Sequence, residues 1–260
     1  MKFRLFDSQA LIGQSPDNDV VLARPWTVDR LIEDLDRFEI DLAVVSHRLS
    51  YDWCPYQGNL ELARQLKAQP RLYPCFVILP SHTDEQPPVD DYLDQMRTAN
   101  VAMVRLCPTH FRFSAAPTVL KDWYSRLERY RIPVFFDYGE SWWMEVRTDY
   151  EQIDQIAERF PALPIILYRQ AFAADRFLFP LLKHRPNIYL ETSGFVGHRK
   201  IELYVKTFGP ERLIFGTGLP HKCPSAAIGE IAWSGLDENI CDLIGYGNLE
   251  SLVARINFDA

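Results

Sequence analysis

The chain has 260 residues, a hydrophobic content of 47% and a formal net charge of −7, which together provide for one sizeable core. An acidic balance excludes non-specific binding to nucleic acid or to an anionic membrane surface, since both need a basic face. No apolar run approaches the roughly 20 residues that span a bilayer. The five cysteines are scattered without a CxxC pair and read as reduced thiols of a cytoplasmic protein.

Taken in chain order, a strand is predicted at 3–6, and an apolar stripe of Val28, Leu31, Ile32 and Leu35 follows with helical spacing. Further strands are predicted at 42–46 and 72–78, and the polar stretch 81–88, ending in Pro87-Pro88, reads as a loop. Strands at 102–106 and 133–136 come next, then the helical stripe Tyr150, Ile153, Ile156, Ala157 and Phe160. The last strands are predicted at 164–167, 188–191 and 213–215, and Asn248 suits the N-cap of a terminal helix. The strands are nearly continuous apolar runs, as parallel strands buried on both faces require. Eight strands alternating with helices, in a chain close to the roughly 250 residues of such a fold, predict an α/β protein: one (β/α)8 barrel domain over 1–260.

The opening strand continues as Asp7-Ser8-Gln9-Ala10-Leu11-Ile12-Gly13, and the last continues as Phe215-Gly216-Thr217-Gly218-Leu219-Pro220. With Phe136-Asp137-Tyr138-Gly139 between them and Gly247-Asn248 near the end, the chain resembles the amidohydrolase superfamily, in its amidohydrolase-related branch. That branch opens on Asp-x-His-x-His-x-Gly and closes on Phe-Gly-Ser-Asp-x-Pro. The resemblance implies a TIM barrel and a hydrolase-type activity, with a metal at the C-terminal mouth. Its ligand positions fall here on Gln9, Leu11, Asp137, Arg169 and Gly218, of which Asp137 alone is a competent zinc ligand. No metal and no cofactor are therefore expected. The resemblance also leaves metal-free chemistry open, since lactone-hydrolysing relatives work without metal.

What remains at the strand ends is a mixed-charge mouth. Arg105 lies at the end of strand four, Asp137 and Glu140 at that of strand five, Arg169 at that of strand six and Glu191 at that of strand seven. Arg169 beside Asp137 suggests an ion pair that stands in for the metal. Alternatively, Arg105 and Arg169 hold a carboxylate or phosphate, with Asp137, Glu140 or His221 as general base. Gln9, His47, Tyr138, Trp142 and Tyr168 complete the expected substrate-binding set, and Trp53, Tyr56, Phe111, Phe113 and Trp143 are further aromatics expected near the mouth. Three readings follow: a metal-independent hydrolase or lyase for a small anionic or aromatic molecule, an inactive ligand-binding relative, and a metal enzyme with ligands moved to His47, His110 and His221 plus Asp137 or Glu191. The expected partner is a small molecule such as a carboxylate, and a homo-oligomer is open because relatives often pair.

Overall fold

The computed structural model describes residues 2–14, 24–139, 148–170 and 174–260. Its parallel sheet runs β1 (Phe6–Ile12), β2 (Leu42–His47), β3 (Leu72–Val77), β4 (Met103–Leu106), β5 (Val134–Phe136), β6 (Ile165–Leu167), β7 (Ile188–Glu191) and β8 (Leu213–Ile214), each paired with the next. The connections carry α1 (Val28–Arg37), α2 (Arg48–Asp52), α3 (Pro55–Leu66), α4 (Val89–Thr98), α5 (Pro108–Phe111), α6 (Lys121–Tyr130) and α7 (Tyr150–Arg159). They continue with α8 (Asp175–His184), α9 (Lys200–Phe208), α10 (Pro224–Ala232), α11 (Glu238–Asp242) and α12 (Asn248–Ala254). The predicted (β/α)8 barrel is the fold. Among the described residues no helix is long and apolar enough to cross a membrane.

Most strand bounds agree with the prediction to within a residue, but the first strand does not. The prediction stopped at residue 6, and β1 instead runs through Asp7, Ser8 and Gln9, all buried. All three are polar yet buried, so polarity does not mark the end of the strand. Closure joins β1 to the segment after β8: Ser8 N–H donates to the Phe215 carbonyl at 3.0 Å and Leu11 N–H to Leu219 at 2.9 Å. A bulge shifts the β1–β2 register between Asp7 and Ala10, and the Asp7 carboxylate takes up amides near it. It accepts from Gln9 N–H at 3.0 Å, from Thr217 N–H at 2.9 Å and from the Thr217 hydroxyl.

Burial pushes the Asp7 carboxyl up to about 7 despite those bonds. The folded carboxyl thus keeps its proton to near neutrality, while the unfolded one ionises near 3.8. Its contribution to stability is full below the lower value and is lost as pH rises through the higher one. Urea denaturation of wild type and Asp7→Asn at pH 5 and pH 8 checks this. The variant is expected to lose a smaller share of its stability over that interval, and equal losses would refute the assignment.

Alternation along the strands sorts the side chains into two cores. Val44, Cys75, Met103, Phe135 and Ile166 fill the barrel, closed below by Leu249 and Leu252 of α12. Val45, Phe76, Val104, Phe136 and Leu167 face outward against the helices, with Leu31, Leu35, Ile153 and Ile156 opposite. Asn248 is not the expected N-cap, because a π-helical turn at Leu243–Gly247 runs straight into α12. It is buried, and its side-chain amide donates to the Pro210 and Leu213 carbonyls at 2.8 Å each. Asn248→Ala leaves both carbonyls without that partner and is expected to cost about 1–3 kcal/mol in chemical denaturation.

Candidate functional site

Above the filled interior, the inward positions of the strand ends turn polar. Phe135 points into the barrel, so Asp137, two residues on, does as well, whereas Phe136 and Tyr138 point outward. The same parity puts Arg105 inside, level with Phe135 in the β4–β5 register. A cavity of about 400 Å³ opens there, within the size range of small-molecule sites. Gln9, Leu11, Asp137, Arg169 and Gly218 all line it, so the positions singled out by resemblance converge in space.

Arg105 is 1% exposed, and its Nη1 lies 3.9 Å from Asp137 Oδ2. Its guanidinium sits 4.8 Å above the Phe135 ring and 5.8 and 5.9 Å from the rings of Tyr51 and Tyr168. Among the described residues Nε and Nη1 have no hydrogen-bond partner. Asp137 accepts Gly139 N–H at 2.8 Å and the Tyr51 hydroxyl. Burial raises its carboxyl above the ordinary range, against the pull of Arg105 and, more weakly, Arg169. Asp137 in turn raises the Tyr51 phenol, with burial acting in the same direction. Arg169 Nη1 donates to the Tyr168 hydroxyl at 2.9 Å, and Arg169 holds a left-handed backbone, φ +43°.

The α2 turn supplies a second charged group. Arg48 Nε pairs with Asp52 at 2.8 Å, and Arg48 Nη1 donates to His221 Nε2 at 3.0 Å. The Tyr51 ring stacks on His110, centroids 5.1 Å apart. Three arginines and two aspartates therefore face the described cavity, an excess of one positive charge before the histidines are counted. Sequence reading missed Arg48, Tyr51 and Asp52. Their spacing of three and four residues directly after a strand places them on one face of a helical turn, which was the available signal.

Other expected site residues take structural positions. His47 Nδ1 accepts Leu49 N–H at 3.0 Å and caps α2, and burial depresses its pKa. Glu191 is buried, accepting Arg169 N–H, Ser193 N–H and the Ser193 hydroxyl at 2.7–3.1 Å. Tyr138 stacks on Phe136 in the outer core, and Tyr56 packs edge-on against Tyr92 at 5.5 Å, away from the mouth. Glu140, Trp142 and Trp143 lie outside the described residues.

The donor set at the five converging positions does not fit a divalent ion. It offers one carboxylate, an amide, two positions without a donor and a fixed cation, where three or four His, Cys or carboxylate ligands are the rule. Among the described residues no group of three or more His, Cys, Asp or Glu is arranged to hold a metal. Gly218, in place of the motif aspartate, has φ +79°.

The sequence profile of the amidohydrolase family matches residues 7–248. The chain belongs to that family. Among solved structures, this amidohydrolase-family chain is similar to an uncharacterised TIM-barrel protein from Bordetella bronchiseptica, with 22% identity, a TM-score of 0.71, and coverage of 88% of this chain and 83% of that one. It is also similar to 5-carboxyvanillate decarboxylase from Sphingomonas paucimobilis, with 14% identity, a TM-score of 0.77 and coverage of 98% and 100%. A probable 2-pyrone-4,6-dicarboxylic acid hydrolase from Acinetobacter baumannii, solved with citric acid bound, shares 15% identity at a TM-score of 0.71, with coverage of 97% and 100%. A search of curated proteins found no match.

Proposed function

We propose that this chain is a metal-independent hydrolase or lyase acting on a small aromatic carboxylate, with Arg105 and Arg169 holding the carboxylate and Asp137 moving the proton. The observation that carries the reading is Arg105, buried against the cavity with Nε and Nη1 unpartnered. Unpaired donors on a buried cation are expensive, and a carboxylate oxygen is a charge-matched acceptor for such a donor. The tyrosine rings beside the guanidinium favour a planar ligand. Support also comes from the two neighbours named above for an aromatic or pyrone carboxylate.

Asp137 suits proton transfer because burial brings its pKa toward the working pH. In hydrolysis, the arginines keep hold of the carboxylate while the ionised Asp137 takes a proton from the water that attacks the carbonyl carbon. The C–O bond then breaks, and Asp137 returns the proton to the leaving oxygen. In decarboxylation, protonated Asp137 delivers its proton to the carbon bearing the carboxylate. The C–C bond breaks with loss of CO2, and Asp137 is left ionised.

The test is chromatography of the untagged protein incubated with pyrone and lactone carboxylates and with hydroxybenzoates, after elemental analysis for Zn, Mn, Fe and Ni. Turnover without stoichiometric metal is the expected result. Stoichiometric metal would overturn the metal-free mechanism and restore the relocated-ligand reading. Binding of these acids without product would leave the inactive, ligand-binding reading in its place.

A further inference from the structure

We infer that the ligand of this cavity carries a neutral hydrogen-bond donor, a phenolic hydroxyl or an aromatic amine, on the edge away from its carboxylate, and that Gln9 reads it. The inference rests on the proposal that Arg105 holds the carboxylate.

Two polar side chains on the cavity wall carry buried atoms with no hydrogen-bond partner among the described residues, and those atoms are of opposite kind. Arg105 offers donors at Nε and Nη1 with nothing to accept them. Gln9, 4% exposed, offers its carbonyl Oε1 with nothing to donate to it. Each is costly while unsatisfied, and a ligand that pairs one and neglects the other leaves that cost in place. Oε1 only accepts, so the ligand must bring the hydrogen.

The two groups also lie apart. Gln9 sits on β1 and Arg105 on β4, three strands along the barrel order. One planar acid lying across the cavity, against Tyr51 and Tyr168, is the simplest molecule that satisfies both. Gln9 is held in place by the β1 bulge, where Asp7 accepts its N–H; bulges of this kind re-aim a side chain. The excess of guanidinium charge around the cavity disfavours an ammonium, which makes the donor neutral.

Isothermal titration of the full chain with benzoate, 4-hydroxybenzoate and 4-methoxybenzoate tests this. Wild type is expected to bind 4-hydroxybenzoate about tenfold more tightly than 4-methoxybenzoate. Gln9→Leu is expected to abolish that preference while keeping its affinity for benzoate. Gln9→Glu, which keeps the shape and adds a charge, is expected to shift preference to the ammonium of 4-(aminomethyl)benzoate. Equal binding of the two substituted acids by wild type would overturn the inference and leave the Arg105 proposal standing, as would an undiminished preference in both variants. Failure of every acid to bind wild type would overturn both.

Discussion

Asp137→Asn is expected to lower turnover by about a thousandfold, within the range for loss of a general acid–base group. The asparagine retains an oxygen that can accept Gly139 N–H but can neither take up nor release a proton at this point. It also removes the nearest anion from Arg105, and an uncompensated buried cation costs about 3 kcal/mol or more. The two consequences separate in one experiment. A bound carboxylate supplies the missing negative charge, so benzoate should raise the melting temperature of the variant more than that of wild type. Product formation at the wild-type rate would remove Asp137 from the mechanism. A stability loss that benzoate does not repair would instead mean that the carboxylate does not reach Arg105.

Arg105→Met is expected to weaken benzoate binding by about a hundredfold, the scale for truncating one partner of a buried charged pair. Methionine fills a similar volume above Phe135 and keeps the contact between rings and stem, so packing is largely preserved. The remaining effect is electrostatic. Arg105 is the strongest of the groups that hold the Asp137 carboxyl down against burial. Without it the folded pKa of Asp137 rises further above its unfolded value, and the variant's stability is lost as pH rises through that higher pKa. Guanidinium denaturation should therefore find the variant much closer to wild type at pH 5 than at pH 8. A pH-independent difference would refute the coupling, and unchanged benzoate affinity would remove Arg105 as the anion site.

The barrel was legible because parallel strands covered on both faces leave unbroken apolar runs, and seven of the eight fell within a residue of their predicted bounds. β1 did not, because Asp7, Ser8 and Gln9 are buried polar residues, and hydropathy cannot tell a polar residue inside a barrel from one outside it. The site was legible where alternation works. Arg105 within β4 and Asp137 just after β5 sit where parity is fixed by the apolar residues beside them. It failed where a residue's partner is set by the loop. His47 and Glu191 looked like mouth residues and instead bond to backbone amides of the next turn, a contact that depends on the path of the chain after the strand. Tyr51 was overlooked because in the five-residue α2 the spacing of three and four occurs once and forms no repeating stripe.

The backbone at Gly218 bears on what an aspartate at this motif position would cost. A side chain restored there meets no steric obstacle closer than Lys222, whose nearest atoms are 3.7 Å from the added β-carbon. The obstacle is conformational: φ +79° is a region that L-residues enter at about 1–2 kcal/mol. An aspartate at 218 would carry that strain before any ion arrived, with the Arg169 cation facing the same cavity and Leu11 offering no ligand. Gly218→Asp alone therefore adds strain without completing a ligand set.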